Sequence, residues 1–171
     1  MMDLNIPKMG YIILFKTDNS FFARLIEKEQ IKRGLSPLQA LWTHAGISGG
    51  GQWLVEVSPP QSRVVDIRER HKGRYIKILC LKDAEYKDRK RYKIAFWAAS
   101  LSNLKYDWFG ILKFRLKWIF HFKSRFFCSE NVAWAIEKEY PNAFGMKSYK
   151  MMPGHFDNPK YTEVVWVGKI E

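Results

Sequence analysis

In the stretch LWTHAGISGGGQWLVEVSPP (residues 41–60), a histidine and a glutamate stand six residues to either side of Gly50, the middle of three glycines. Both flanks read as strands, with Leu41, Trp42, Ala45 and Ile47 before the glycines and Trp53, Leu54, Val55 and Val57 after them. Two such runs around a short glycine loop predict a β-hairpin. With Gly49–Gly51 as the loop, Ser48 faces Gln52 and His44 lies directly across from Glu56. Directly opposed residues carry Cβ atoms about 4.5–5.5 Å apart on one face of the sheet. A carboxylate at that range accepts a hydrogen bond from an imidazole, fixes its tautomer and raises its basicity. A slip of one residue would send the two side chains to opposite faces. A cross-strand pair at a wet sheet edge would look the same, so the hairpin alone leaves both uses open.

The two cysteines differ in their surroundings. Cys80 sits among Ile78, Leu79 and Leu81, the setting of a small buried hydrophobe. Cys128 stands where Phe126 and Phe127 meet the start of a helix expected over Ser129–Tyr140. Helix N-termini carry unpaired N–H groups and roughly half a positive charge. That environment favours a thiolate, and the same N–H groups can receive the oxyanion of a tetrahedral intermediate. A nucleophile placed there needs a base, which His44 with Glu56 behind it would supply. A buried cysteine ahead of a core helix accounts for the residues equally well when Cys128 is taken alone.

Taken in order, GYIILF, WTHAGI, VEV, YDWFGIL and FFCSENVAWA resemble the permuted NlpC-type papain-like proteins. Within these the YiiX-like group is the nearer match, and it is related to the lecithin:retinol acyltransferase group. The resemblance runs over about residues 9–139. It implies a circularly permuted papain-like α+β fold in which the histidine strand precedes the cysteine helix. It also implies a catalytic set of Cys128, His44 and Glu56. Tyr106, in KYDWFG, takes the place of a tyrosine that can assist the oxyanion site, although 22 residues and a distinctive insert separate it from Cys128. Packing would occupy Tyr106 equally well.

The elements that must hold these residues follow from pattern. Residues 10–16 read as a buried strand. A helix follows, capped by Asn19 or Ser20 and stopped at Gly34, with Phe21, Phe22, Leu25, Ile26 and Ile31 on its apolar face. SRVVDI and RYIKILCL are two more β-rich runs, residues 83–103 read as a long helix with a solvated start, and YTEVVWVGKI closes the chain as a strand. The sum is a single domain over 1–171, a mainly antiparallel sheet packed against helices.

The charge balance, 29 Lys and Arg against 17 Asp and Glu for a net +12, favours anionic partners. An anionic lipid surface and a cell-wall polymer both fit. Nucleic acid ranks below them because no helix-turn-helix, zinc-finger, RNP-type or KH-type signature appears. The insert KFRLKWIFHFK (113–123) alternates aromatic and basic residues, which makes Lys113, Arg115, Lys117 and Trp118 candidates for contact with such a surface. A strand with its apolar side in the core explains the same alternation. His71, His121 and His155 lack partners at metal-ligand spacing and are expected at the surface. With no zinc pattern, P-loop or nucleophile elbow, neither metal nor cofactor is expected. The N-terminal twenty residues lack a signal-peptide pattern and no window reaches the ~20 apolar residues of a membrane span, so a soluble product made in the cytoplasm is expected.

Two functions from different classes emerge. One is a cysteine hydrolase or acyltransferase acting on an amide or ester, with a cell-wall peptide or a lipid acyl group as substrate. The other is a non-catalytic binding module that uses the same groove to recognise an anionic lipid or cell-wall surface.

Overall fold

Ile12–Lys16 forms the first strand, β1, because its four leading residues are β-branched or bulky apolar side chains that bury on both faces of a sheet. The computed structural model describes residues 7–18, 20–82, 88–103 and 127–171. Around β1 lie β2 (Trp42–Gly50), β3 (Trp53–Ser58), β4 (Gln61–Asp66), β5 (Tyr75–Leu81) and β6 (Thr162–Lys169). They make one six-stranded sheet in the order β4-β3-β2-β1-β5-β6, and every described pairing is antiparallel. The fold is therefore mixed α+β with an antiparallel sheet, as the sequence predicts.

The described helices are α1 (Phe21–Lys32), α2 (Pro37–Ala40), α3 (Ile67–Arg70), α4 (Asp88–Ser100) and α5 (Cys128–Glu137). Two 3₁₀ turns follow at Ser148–Lys150 and Pro153–Phe156. Ile12, Leu14, Ala45, Ile47 and Leu79 pack on one side of the sheet with Ile94 and Ala98 of α4 and Val132 and Ile136 of α5. Ile13, Phe15, Leu54, Ile76 and Ile78 form a second cluster on the other side. Among the described residues no helix is long and apolar enough to cross a membrane. The insert at 113–123 lies outside the described residues.

Two sequence expectations change here. Ser20 caps α1, accepting from the Ala23 N–H at 3.2 Å, but the face expected to bury does not. Phe21, Phe22 and Ile31 are 73%, 40% and 46% exposed, and only Leu25 and Ile26 pack inward, on Val57. The buried residue of α1 that does most to place the helix is polar. Gln30, fully buried, donates to the carbonyls of Ala40 (3.0 Å) and Trp42 (2.9 Å) and accepts from the Gly154 N–H at 2.6 Å. It thereby anchors the chain just where β2 begins, two residues ahead of His44.

The second change is the hairpin register. The turn falls at Gly51–Gln52, not at Gly49–Gly51, and Gly50 pairs with Trp53 across an irregularity after Ser48. Gly51 has a positive φ of 57°, which the first central residue of such a tight turn requires, and Gly50 (93°) takes the same hand at the irregularity before it. The residue opposite Glu56 is thus Gly46, not His44. The displacement is two residues, so side-chain parity survives and His44 is the diagonal neighbour of Glu56 on the same face.

Gly46 has no room for a side chain. A Cβ there would lie 2.6 Å from Leu54 Cδ1 and 2.8 Å from the Val55 carbonyl oxygen. Backbone oxygen cannot swing aside, so Gly46→Ala should push β2 and β3 apart and cost about 1–3 kcal/mol. A urea midpoint shift measures this, and an unchanged midpoint would show that the hairpin tolerates the spread.

Candidate functional site

Glu56 occupies an interior strand, between β2 and β4, and its side chain is fully buried. A buried carboxylate needs donors on both oxygens. Oε2 receives two imidazoles: His44 Nε2 at 2.7 Å and His71 Nε2 at 2.9 Å. Oε1 accepts from Ser58 Oγ at 2.9 Å, and the Nε atoms of Arg63 and Arg70 approach it to 3.6 Å. A carboxylate only accepts, so both Nε2 atoms carry their protons. With Nε2 of His44 committed to Glu56, Nδ1 is the nitrogen left for the hydrogen bond that His44 makes with Cys128.

His71 is the residue the sequence placed wrongly. Expected at the surface in a basic turn, it is the C-cap of α3, with its N–H on the Ile67 carbonyl at 2.9 Å. Asp66 caps that four-residue helix and Ile67 is buried beneath it. The turn folds His71 back over the sheet onto Phe15, ring centroids 4.4 Å apart, while His44 lies 5.2 Å from the same ring. Fifteen residues separate His71 from Glu56, so no local spacing signals the contact. The turn signals after β4 are the only trace of it.

Cys128 is the first residue of α5, one residue earlier than expected, with Phe127 as N-cap. It is 4% exposed. Ser129 beside it donates to the Met151 carbonyl at 2.8 Å, and α5 packs on β2 and β3. That packing brings the start of the helix to His44. Cys80, by contrast, donates its thiol to Glu163 Oε1 at 3.0 Å, and burial followed by that carboxylate pushes its pKa up to about 12. His155 is half-buried, accepting at Nδ1 from the Met152 N–H at 2.9 Å, and burial lowers its pKa. Tyr106, Lys113, Arg115, Lys117, Trp118 and His121 lie outside the described residues. A cavity of about 510 Å³ bordered by Lys82, Lys90 and Lys160 opens at the far end of α5. It is roughly 15 Å along the helix from Cys128 and does not belong to the site.

The electrostatics divide the two histidines. Burial alone would lower the His44 pKa, but hydrogen bonds with Cys128 and Glu56, and their charges, lift it to about 10. Burial likewise opposes ionisation of Glu56, yet the His44 and His71 hydrogen bonds hold it well below the usual carboxylate range. His71 goes the other way. Its burial dominates, and the charges of His44 and Arg74 add to it, so its pKa falls despite Glu56. One imidazole is thus disposed to hold a proton and the other to release it.

A dependence of stability on pH follows. An unfolded histidine titrates near 6.5. His44 therefore contributes fully below that pH and loses its contribution as pH rises through about 10. Glu56 contributes above its unfolded value of about 4.5 and loses that only as pH falls through its depressed folded value. Denaturation midpoints should decline from roughly pH 7 to pH 10, and the decline should flatten in His44→Gln. Equal slopes in the two proteins would mean His44 is not held as an imidazolium.

No protein-family model matches the sequence, and no curated protein matches it. A solved structure does: the metalloprotein YiiX of Escherichia coli O157:H7, with a TM-score of 0.56 at 17% identity, over 82% of this chain and 68% of that one. The fold is YiiX-like. At this identity the likeness concerns architecture alone. It agrees with the YiiX-like resemblance drawn from the GYIILF, WTHAGI and FFCSENVAWA segments.

Proposed function

We propose that this chain is a cysteine-dependent hydrolase or acyltransferase with a circularly permuted papain-like arrangement, in which Cys128 is the nucleophile, His44 the acid and base, and Glu56 the residue that orients His44. The observation that carries this reading is the continuous hydrogen-bonded run from Glu56 through His44 to Cys128, ending at a helix N-terminus. Such runs are how a weak nucleophile is activated and its base kept in one tautomer. The histidine strand preceding the cysteine helix is the order expected of the permuted form.

In the mechanism, the Cys128 proton passes to His44 and the thiolate attacks the carbonyl carbon of an amide or ester, forming a C–S bond. The carbonyl electrons move onto oxygen, facing the first N–H groups of α5. Collapse expels the amine or alkoxide, which takes the proton from His44 and leaves a thioester. Water or an acceptor amine or alcohol then gives its proton to His44 and attacks, and the C–S bond breaks to restore the thiolate. Cell-wall stem peptides and lipid acyl groups are the proposed substrate classes, both compatible with a +12 chain that favours anionic surroundings. Tyr106 is kept as a second oxyanion donor in this proposal, and Lys113, Arg115, Lys117 and Trp118 as surface contacts.

The test is a panel of acyl esters, lipid amides and stem peptides assayed with wild type and Cys128→Ala. The expected result is turnover of one class with a trapped thioester, abolished in the variant. Hydrolysis that survives Cys128→Ala would end the proposal, and no turnover of any class by wild type would favour the non-catalytic binding module.

A further inference from the structure

We propose that His44, Glu56 and His71 form a binding site for a divalent transition-metal ion, with Zn²⁺ the ion that best suits the donors. The three residues come from β2, β3 and the end of α3, and their donor atoms all lie within 4.8 Å of one another. Two imidazoles converge through the same ring atom, Nε2, on a single carboxylate oxygen, at 2.7 and 2.9 Å. Two imidazoles and a carboxylate are a borderline-soft set suited to zinc.

The fit needs only small movement. Bonds of about 2.0–2.1 Å to a tetrahedral ion place donors roughly 3.3 Å apart. Each Nε2 must therefore withdraw from Oε2 by about half an ångström as the ion replaces the two N–H protons. Ser58 and the arginines engage the other oxygen, Oε1, so Oε2 is committed only to the two rings among the described contacts. The His44 and His71 side chains keep 19% and 12% of their surface, which gives an ion an approach to a carboxylate with none. Arg63 and Arg70 oppose a dication, so the expected dissociation constant is on the order of micromolar rather than that of a closed four-ligand site. Three protein donors leave one position open for water or a ligand. Cys128 is not among the clustered donors. The cysteine cycle and a bound ion both draw on His44, so loading should compete with it; this competition, though not the site itself, rests on the cysteine mechanism proposed above.

The experiment is titration of chelator-treated full-length protein with Zn²⁺ by calorimetry and with Co²⁺ by absorption. The proteins are wild type, His71→Gln, His44→Gln, Cys128→Ser and His155→Gln, each checked for folding by circular dichroism. The expected result is one ion per chain in wild type, Cys128→Ser and His155→Gln, at least tenfold weaker binding in His71→Gln and His44→Gln, and a cobalt spectrum without a thiolate charge-transfer band. Stoichiometric Zn²⁺ should also slow alkylation of Cys128 in wild type and leave His71→Gln unaffected. The absence of 1:1 binding, unchanged affinity in both histidine variants, or a thiolate band that vanishes in Cys128→Ser would overturn the site. Unchanged alkylation on loading would overturn the competition. Alkylation of metal-free protein reads the cysteine mechanism by itself, so the two proposals fail separately.

Discussion

His44→Ala should slow iodoacetamide alkylation of Cys128 at pH 6 by on the order of tenfold to a hundredfold. The expectation comes from the pairing, since the imidazole is disposed to stay protonated to about pH 10 while hydrogen-bonded to the thiol. At pH 6 only about 0.3% of an ordinary thiol with a pKa near 8.5 is ionised. An imidazolium beside a sulfur favours attack by that sulfur, so the variant that lacks it should react more slowly. Mass spectrometry of the Cys128 peptide against time, across roughly pH 5–9, gives the rate directly. Cys80, bonded to Glu163, is the internal control and should stay slow in both proteins. If wild type and His44→Ala react alike at pH 6, no primed nucleophile exists and the binding module becomes the better reading.

Glu56→Ala is expected to be the most destabilising single change at the site, by about 3–5 kcal/mol, because it removes the counter-charge from His44 and Arg63 at once. His44 and His71 lose their common acceptor. Arg63 Nε is buried with no hydrogen-bond partner among the described residues, so Glu56 Oε1 at 3.6 Å is what offsets its charge. Arg70, 45% exposed, can turn to water and adds little. Glu56→Gln should cost less, since its amide oxygen still accepts one imidazole. Urea denaturation of both variants separates these cases, and a loss under 1 kcal/mol in Glu56→Ala would mean that the cluster rearranges or takes up water rather than stranding charge.

The contrast between Glu56 and His71 shows what the sequence could convey. The contact between His44 and Glu56 was legible although its register was misplaced by two residues, because strand parity has a period of two and an even error keeps both side chains on one face. Cys128 at a helix start was legible because Phe126–Phe127 and the apolar spacing of the following residues mark a helix boundary. The antiparallel α+β class followed from the strand runs and their short separations. His71 was not legible, since its position depends on β4 and the α3 turn carrying the chain back across the sheet, a tertiary event with no local pattern. The exposed face of α1 escapes the sequence for a related reason. Helical spacing of Phe21, Phe22 and Ile31 says which side chains share a face, but it cannot say whether a neighbour covers that face. Gln30, polar by type and buried in fact, was invisible until Ala40, Trp42 and Gly154 came together around it.

The two imidazoles on Glu56 sit on parts of the chain held to different degrees. His44 is held in β2, laced to β1 on one side and β3 on the other, so freeing it requires parting the middle of the sheet. His71 ends a helix of four residues beyond the outermost strand, where a few backbone bonds hold the chain. Local opening of such a segment costs far less than global unfolding. Hydrogen exchange should therefore show less protection in the turn that carries His71 than along β2. The His71 side of the cluster is then the one expected to yield first when the protein is destabilised.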